Sequence, residues 1–187
     1  CDACTRNLDM KFNASKSVTM IFSPYQAMRR VDYAFPLFSI NGENLENVNV
    51  FKYLGHLISN DLSDNNDIVR QMGLLYGRSN FLCRKFMKCS RAVKLCLFKA
   101  YCLSFYCMAL WDNFHNAVIC RIKAAYIKCI KTFFGFKRMD SVTGMFAELR
   151  LPTFNTLLHN AKVKLLHACQ HHPNKLFRMV HVLCVDK

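Results

Sequence analysis

The sequence predicts an α+β fold: a small antiparallel sheet over residues 12–60, then a mainly α-helical bundle from residue 63. Two observations carry this. Up to about residue 59 the apolar residues come in short β-branched and aromatic runs; beyond it they recur every three to four residues. The charge changes at the same place. Residues 1–67 hold six basic and eight acidic side chains, net −2, whereas residues 68–187 hold twenty basic and four acidic ones, net +16. The boundary near 60–63 is the only candidate division, and it gives segments 1–62 and 63–187. With 187 residues, 52% of them hydrophobic and 20% charged, the chain is long and apolar enough to bury a core, and disorder is excluded as its main state.

The elements follow in order. Ser17-Val18-Thr19-Met20-Ile21-Phe22 is β-prone and stops at Ser23-Pro24. Tyr33 to Ile40 is a second β-prone run, interrupted by Pro36, so it reads as an edge strand or two short pieces. Asn41-Gly42 is a strong hairpin signal. Val48 to Gly55 and His56-Leu57-Ile58 complete a sheet of three or four strands. Ser63 is a candidate N-cap, with Asp64 and Asp67 suited to the positive end of the helix that follows. That helix carries an apolar stripe of Ile68, Met72, Leu75, Leu82 and Phe86. Ser90 is expected to cap a second helix with Val93, Leu97, Ala100, Tyr101 and Ser104 on one side. A third runs from about Asn116 to Phe134 on a stripe of Ile119, Ile122, Tyr126, Cys129, Ile130 and Phe133, and ends at Gly135. Arg121, Lys128 and Lys131 share another face of it. Shorter helices are expected at about Val142–Leu149, 154–170 and 174–183, with Pro152 and Pro173 between them.

A positive balance of this size over about 120 residues points to a polyanionic partner, most often nucleic acid. The longest charge-free run, Ala100 to Trp111, is 12 residues and too short to span a bilayer. No secretory signal is present, and the start at Cys1 suggests a piece of a longer or processed protein. The eleven cysteines are odd in number, and seven lie between residues 83 and 129 inside helical pattern. They read as buried thiols of a reduced intracellular protein, cytoplasmic or nuclear and not secreted. Cys1-x-x-Cys4 is half of a zinc knuckle without a second half nearby. Cys169, His171, His172, His181 and Cys184 are zinc-ligand types in a spacing that matches no standard finger. His56, His115, His159 and His167 have no carboxylate or serine in triad-like spacing, so histidine-based hydrolysis is unsupported. Trp111 is expected to close the helical core, and Phe133, Phe134 and Phe136 to pack rather than stack on bases.

Two clusters are more specific. Phe12-Asn13-Ala14-Ser15-Lys16-Ser17-Val18-Thr19-Met20-Ile21-Phe22 and Phe51-Lys52-Tyr53-Leu54-Gly55-His56-Leu57-Ile58 resemble, in order and separation, the end of the palm in reverse transcriptases of non-LTR retrotransposons (LINE-like, jockey-type). In that family a strand with the Asn-x-x-Lys pattern follows the catalytic Ala-Asp-Asp hairpin, and a Tyr-Leu-Gly hairpin forms the primer grip ahead of a helical thumb. The likeness continues through Asn60-Asp61-Leu62-Ser63-Asp64, Asn80-Phe81-Leu82, Val93-Lys94-Leu95, Leu97 to Cys102, Leu110-Trp111, Ala125-Tyr126 and Gly144-Met145-Phe146. It spans about residues 8 to 170. Each motif is weak alone; the collinear series is more specific.

The resemblance implies a fold of palm edge and primer grip over 1–62 and of thumb and connecting helices over 63–187. It implies phosphoryl transfer with two Mg²⁺ ions in the full-length enzyme. The carboxylates for those ions precede the lysine strand in the family, and Asp2 and Asp9 do not stand in their context, so no catalysis, cofactor or metal is expected in this chain alone. The implied partners are an RNA–DNA or DNA template–primer duplex and the upstream part of the polymerase, with no membrane. Lys16 corresponds to the strand beside the active site, and Tyr53, Leu54 and Gly55 to the primer grip. Arg70, Arg78, Arg84, Lys85, Lys88, Arg91, Lys94 and Lys99 would face the phosphates of the duplex, about half of them being expected to point inward. Two other classes stay open: a basic helical protein-interaction module, and a translated remnant without selected function. A sheet edge left unpaired by the missing strands is expected to promote self-association.

Overall fold

The computed structural model describes residues 12–22, 36–40 and 42–179. The fold is α+β, and the chain divides into two compact units, Cys1–Asn66 and Asp67–Lys187.

The first unit is built from short strands. A 3-10 turn at Ala14–Lys16 is capped by Asn13, whose side-chain oxygen accepts a hydrogen bond from the Lys16 amide at 3.2 Å. Strand β1 (Val18–Thr19) pairs in parallel with β4 (Glu46–Asn47). Strand β2 (Ser39–Ile40) pairs antiparallel with β3 (Glu43–Asn44), with Ile40 opposite Glu43. Of the expected Asn41-Gly42 turn, Gly42 has φ +80° and Asn41 lies outside the described residues. Strand β5 (Val50–Tyr53) pairs antiparallel with β6 (His56–Ser59), Tyr53 opposite His56.

Among the described residues the expected single sheet of three or four strands is instead three two-stranded pairs, one of them parallel. The reason is local. Residues 41–49 carry four asparagines and two glutamates, types depleted in strands, so pairing there stays two residues long. Among its described residues this unit buries no hydrophobic side chain; Ser59 is its one buried residue.

The second unit holds the core. Helix α1 (Asn65–Phe86) enters it with Ile68, Leu75 and Leu82 buried at heptad spacing. Ser63 sits just before this helix and its hydroxyl accepts from the Asn65 amide at 3.3 Å. Helix α2 (Arg91–Cys102) buries Phe98 and Cys102. This corrects the stripe expected there: Val93 and Tyr101 are 46% exposed, and Ala100 and Ser104 are exposed as well. Helix α3 (Asn116–Phe134) buries the expected stripe, and Gly135 closes it at φ +80°. Helix α4 (Val142–Leu149) starts on Ser141, whose hydroxyl accepts from the Gly144 amide, and α5 (Phe154–Gln170) starts on Thr153, which accepts from Thr156. Helix resumes at residues 175–179; the rest of the expected last helix lies outside the described residues.

Phe98 is the hub of the aromatic core, with the rings of Tyr126, Phe133 and Phe134 at 6.2, 6.3 and 5.8 Å. Trp111 is fully buried, as its position in the sequence suggested. Among the described residues no helix is long and apolar enough to cross a membrane.

Candidate nucleic-acid interface

Two of the residues singled out in the first unit, Lys16 and Tyr53, meet at one cleft. Lys16 and Tyr53 both line a hollow of about 390 Å³, together with Val18, Met20, Phe51 and Ile58. The 3-10 turn aims Lys16 into this space, and the β5–β6 hairpin supplies Tyr53, which is 57% exposed. The two-residue loop of that hairpin is Leu54-Gly55, with φ of 45° and 84°. Positive φ at both positions is the geometry that matches strand twist in a tight hairpin. Leucine is an uncommon occupant of that region, which carries a conformational cost of about 1–2 kcal/mol for a residue with a Cβ. Its side chain gains nothing there from burial, being 73% exposed at the hairpin tip.

The basic residues of the second unit divide into two sets. Arg70, Arg78 and Lys94 are half-buried and taken up by the fold. Arg70 holds the buried Asp67 carboxylate, with Nη2 2.7 Å from Oδ1. Arg78 Nη1 donates to the carbonyls of Ser104 and Tyr101 at 2.9 and 3.4 Å, capping the end of α2. Lys94 Nζ donates to the Phe133 carbonyl at 3.3 Å and lies over the Phe133 ring, tying α2 to α3. These three are redirected from the expected phosphate-facing role, because each ends on an acceptor inside the bundle. Arg91 is exposed and forms an ion pair with Glu148 at 2.6 Å.

Arg84, Lys85, Lys88 and Lys99 make up the second set. All are exposed, and among the described residues no carboxylate lies within ion-pair distance of any of them. Three fall at the C-terminal end of α1 and just beyond it, where the carbonyl ends of the helix favour cations. Residues 84–91 thus carry four exposed cations and no acid, which is a ready phosphate-contacting stretch.

Sequence reasoning missed two features. His56 Nε2 stands 3.9 Å from Asp64 Oδ1, although no histidine had a carboxylate in triad-like spacing. The hairpin and the residues just before α1 bring them together through the tertiary fold. The second is the network under α1: Trp111 Nε1 donates to Asp67 Oδ2 at 2.9 Å, and Gln71 Nε2 donates to the Tyr106 carbonyl at 3.1 Å. A lone tryptophan with an aspartate 44 residues away leaves no local signal.

Burial raises four of the described thiols. Burial pushes the Cys102 thiol up to about 12, and the neighbouring thiols of Cys129 and Cys83 add to it. Burial likewise raises Cys83, Cys107 and Cys129. Near the C-terminus, His171 Nδ1 lies 2.9 Å from the His167 carbonyl and His172 Nδ1 accepts from the Asn174 amide. His181 and Cys184, like Cys1 and Cys4, lie outside the described residues. Among the described residues no group of three or more His, Cys, Asp or Glu side chains is placed to hold a metal ion. Comparison with family models, with curated proteins and with solved structures returns no match.

Proposed function

We propose that this chain is the palm-edge and thumb portion of a mobile-element RNA-directed DNA polymerase, and that it binds template–primer nucleic acid without catalysing polymerisation by itself. The observation that carries the reading is the set of exposed cations Arg84, Lys85, Lys88 and Lys99, none with a carboxylate at ion-pair distance among the described residues, in a segment of net charge +16. Supporting it, Lys16 and Tyr53 line a single cleft next to a tight Leu54-Gly55 hairpin. Such contacts neutralise phosphate and read shape, not sequence. The catalytic carboxylates and their Mg²⁺ ions belong to the missing upstream part, the second proposed partner.

The test is fluorescence anisotropy with a labelled RNA–DNA hybrid. Binding is expected at low salt, and the triple variant Arg84→Glu, Lys85→Glu, Lys88→Glu is expected to lose at least tenfold in affinity. Absence of binding at low salt refutes the reading. Primer extension with Mg²⁺ and a primed RNA template is expected to give no product. The exposed apolar side chains of the first unit favour one second reading, a module that docks on another protein. Absence of hybrid binding at low salt would favour that alternative, whereas retained binding in the triple variant would move the hybrid contact to other residues.

A further inference from the structure

The outward side of α3 carries a basic groove that the duplex-contacting residues do not use. One hollow of about 660 Å³ is lined by Ile127, Lys128, Lys131, Thr132, Phe136 and Arg138. Ile127 also lines an adjoining hollow of about 290 Å³, whose wall includes Lys123 and Phe146. Lys123, Ile127 and Lys131 follow one another at four-residue spacing, so they form a single row along the helix.

The charges of this groove have a definite order. Lys131 Nζ donates to the carbonyls of Arg138 and Asp140 at 2.8 and 2.7 Å, and so pins the 135–140 loop as the groove wall. Lys128 and Arg138 are exposed on the rim, with no carboxylate at ion-pair distance among the described residues. The two acids nearest in sequence are engaged elsewhere. The Asp140 carboxylate accepts from the Lys137 amide at 2.6 Å, and Glu148 is held by Arg91 at 2.6 Å. Between the rim cations the floor is apolar: Ile127 and Phe136 are half-buried, and Phe146 lies in the adjoining hollow.

We infer that this groove binds single-stranded nucleic acid, its backbone on Lys128 and Arg138 and an unpaired base against Phe136 and Ile127. A cationic rim over an apolar, aromatic floor suits a strand whose bases expose their faces. In a duplex those faces are stacked and the floor gains nothing. A peptide of acidic residues alone satisfies the rim but has no flat apolar group for the floor. The rim cations Lys128 and Arg138 are separate from Arg84, Lys85, Lys88 and Lys99, so the inference and the proposed duplex binding fail separately; the Phe136 ring also lies 5.7 Å from the Arg91 guanidinium.

The experiment uses the intact chain, a labelled 12-nucleotide oligouridine and a labelled RNA–DNA hybrid of equal length. The double variant Lys128→Glu, Arg138→Glu is expected to weaken oligouridine binding at least tenfold and hybrid binding less than twofold. Phe136→Ala is expected to weaken oligouridine binding about tenfold, the size of one lost base stack. Because Phe136 also packs on the core, Phe136→Trp serves as its partner variant and is expected to retain binding. Oligouridine binding with no hybrid binding in the wild type supports the groove while removing the duplex reading. Equal losses for both ligands in the double variant overturn the inference. So does displacement of oligouridine by an oligoglutamate of equal charge as readily as by unlabelled RNA, and so does an absence of oligouridine binding at low salt.

Discussion

At the scale of the residue, the strongest single commitment is Asp67. Its carboxylate is fully buried and takes hydrogen bonds from Arg70 Nε and Nη2 and from Trp111 Nε1. A buried charge tolerates removal of a partner poorly, because the remaining group stays desolvated. Asp67→Asn is expected to destabilise the helical unit by about 2–4 kcal/mol. Chemical denaturation followed by the emission of Trp111, the only tryptophan, measures this. The thiols set a pH dependence. Cys102 titrates near 12 in the fold against 9.0 for an ordinary thiol. Above pH 9 the unfolded chain gives up this proton more readily than the folded one, so the associated stability is complete below pH 9 and is lost as pH rises toward 12. The raised Tyr126 hydroxyl, which donates to the Pro152 carbonyl, acts in the same direction. Melting between pH 8 and 11 is expected to show a steady loss of stability. Cys102→Ala is expected to start lower, for the lost packing, and to fall less steeply. None of this was legible in the sequence: the thiols read as small hydrophobes, but which of them share a core depends on how three helices pack.

At the scale of the element, legibility followed the strength of the period. Helix α3 has apolar residues over more than five turns, and both its limits and its buried stripe match the reading of the sequence. Helix α2 has apolar residues on most of its faces, so period alone does not select Phe98 and Cys102 over Val93 and Tyr101. Its inner face is chosen instead by the neighbours, with Phe133 and Tyr126 closing on Phe98. The strands were legible as segments and not as a sheet, since pairing partners are set by non-local contacts. Two turns make sharp predictions. Gly135 closes α3 at φ +80°, and an added Cβ there meets no atom within 4 Å. Gly135→Ala is therefore expected to cost only the left-handed backbone, about 1 kcal/mol, in thermal unfolding. At the β5–β6 loop the reverse holds. Leu54→Asn converts Leu-Gly to the preferred Asn-Gly pair and is expected to stabilise the hairpin by up to about 1 kcal/mol. If the leucine at this exposed tip contacts nucleic acid, the same variant binds the hybrid more weakly; unchanged affinity assigns Leu54 no part in binding.

At the scale of the whole molecule, apolar surface and charge are distributed unequally. The first unit buries no hydrophobic side chain among its described residues, while Phe22 and Phe38 are about half exposed and Leu37 is 78% exposed. Strand β5 is exposed along its whole length and, among the described residues, pairs with β6 alone. An open edge with apolar faces recruits other chains. The mass by light scattering is expected to rise with concentration, and a monodisperse monomer contradicts this. The charge asks for a different measurement. The sequence located the positive field, but not which cations are spent inside the bundle; tertiary contacts assign Arg70, Arg78 and Lys94 to acceptors of the fold. Of the cations expected to face the duplex, Arg84, Lys85, Lys88 and Lys99 are exposed with no carboxylate at ion-pair distance among the described residues. Four phosphates neutralised give a slope of log affinity against log salt of about −3.5 on a duplex, or about a hundredfold loss between 50 and 200 mM salt. Charge reversal at Arg84, Lys85 and Lys88 is expected to flatten that slope by about three. Alanine at Arg70, Arg78 or Lys94 is expected to lower the unfolding midpoint and leave the slope unchanged at temperatures where the variant is folded. A slope that drops by one for each of those three would place them on phosphate in the complex, and would mean that binding opens the contacts by which they now hold the helices together.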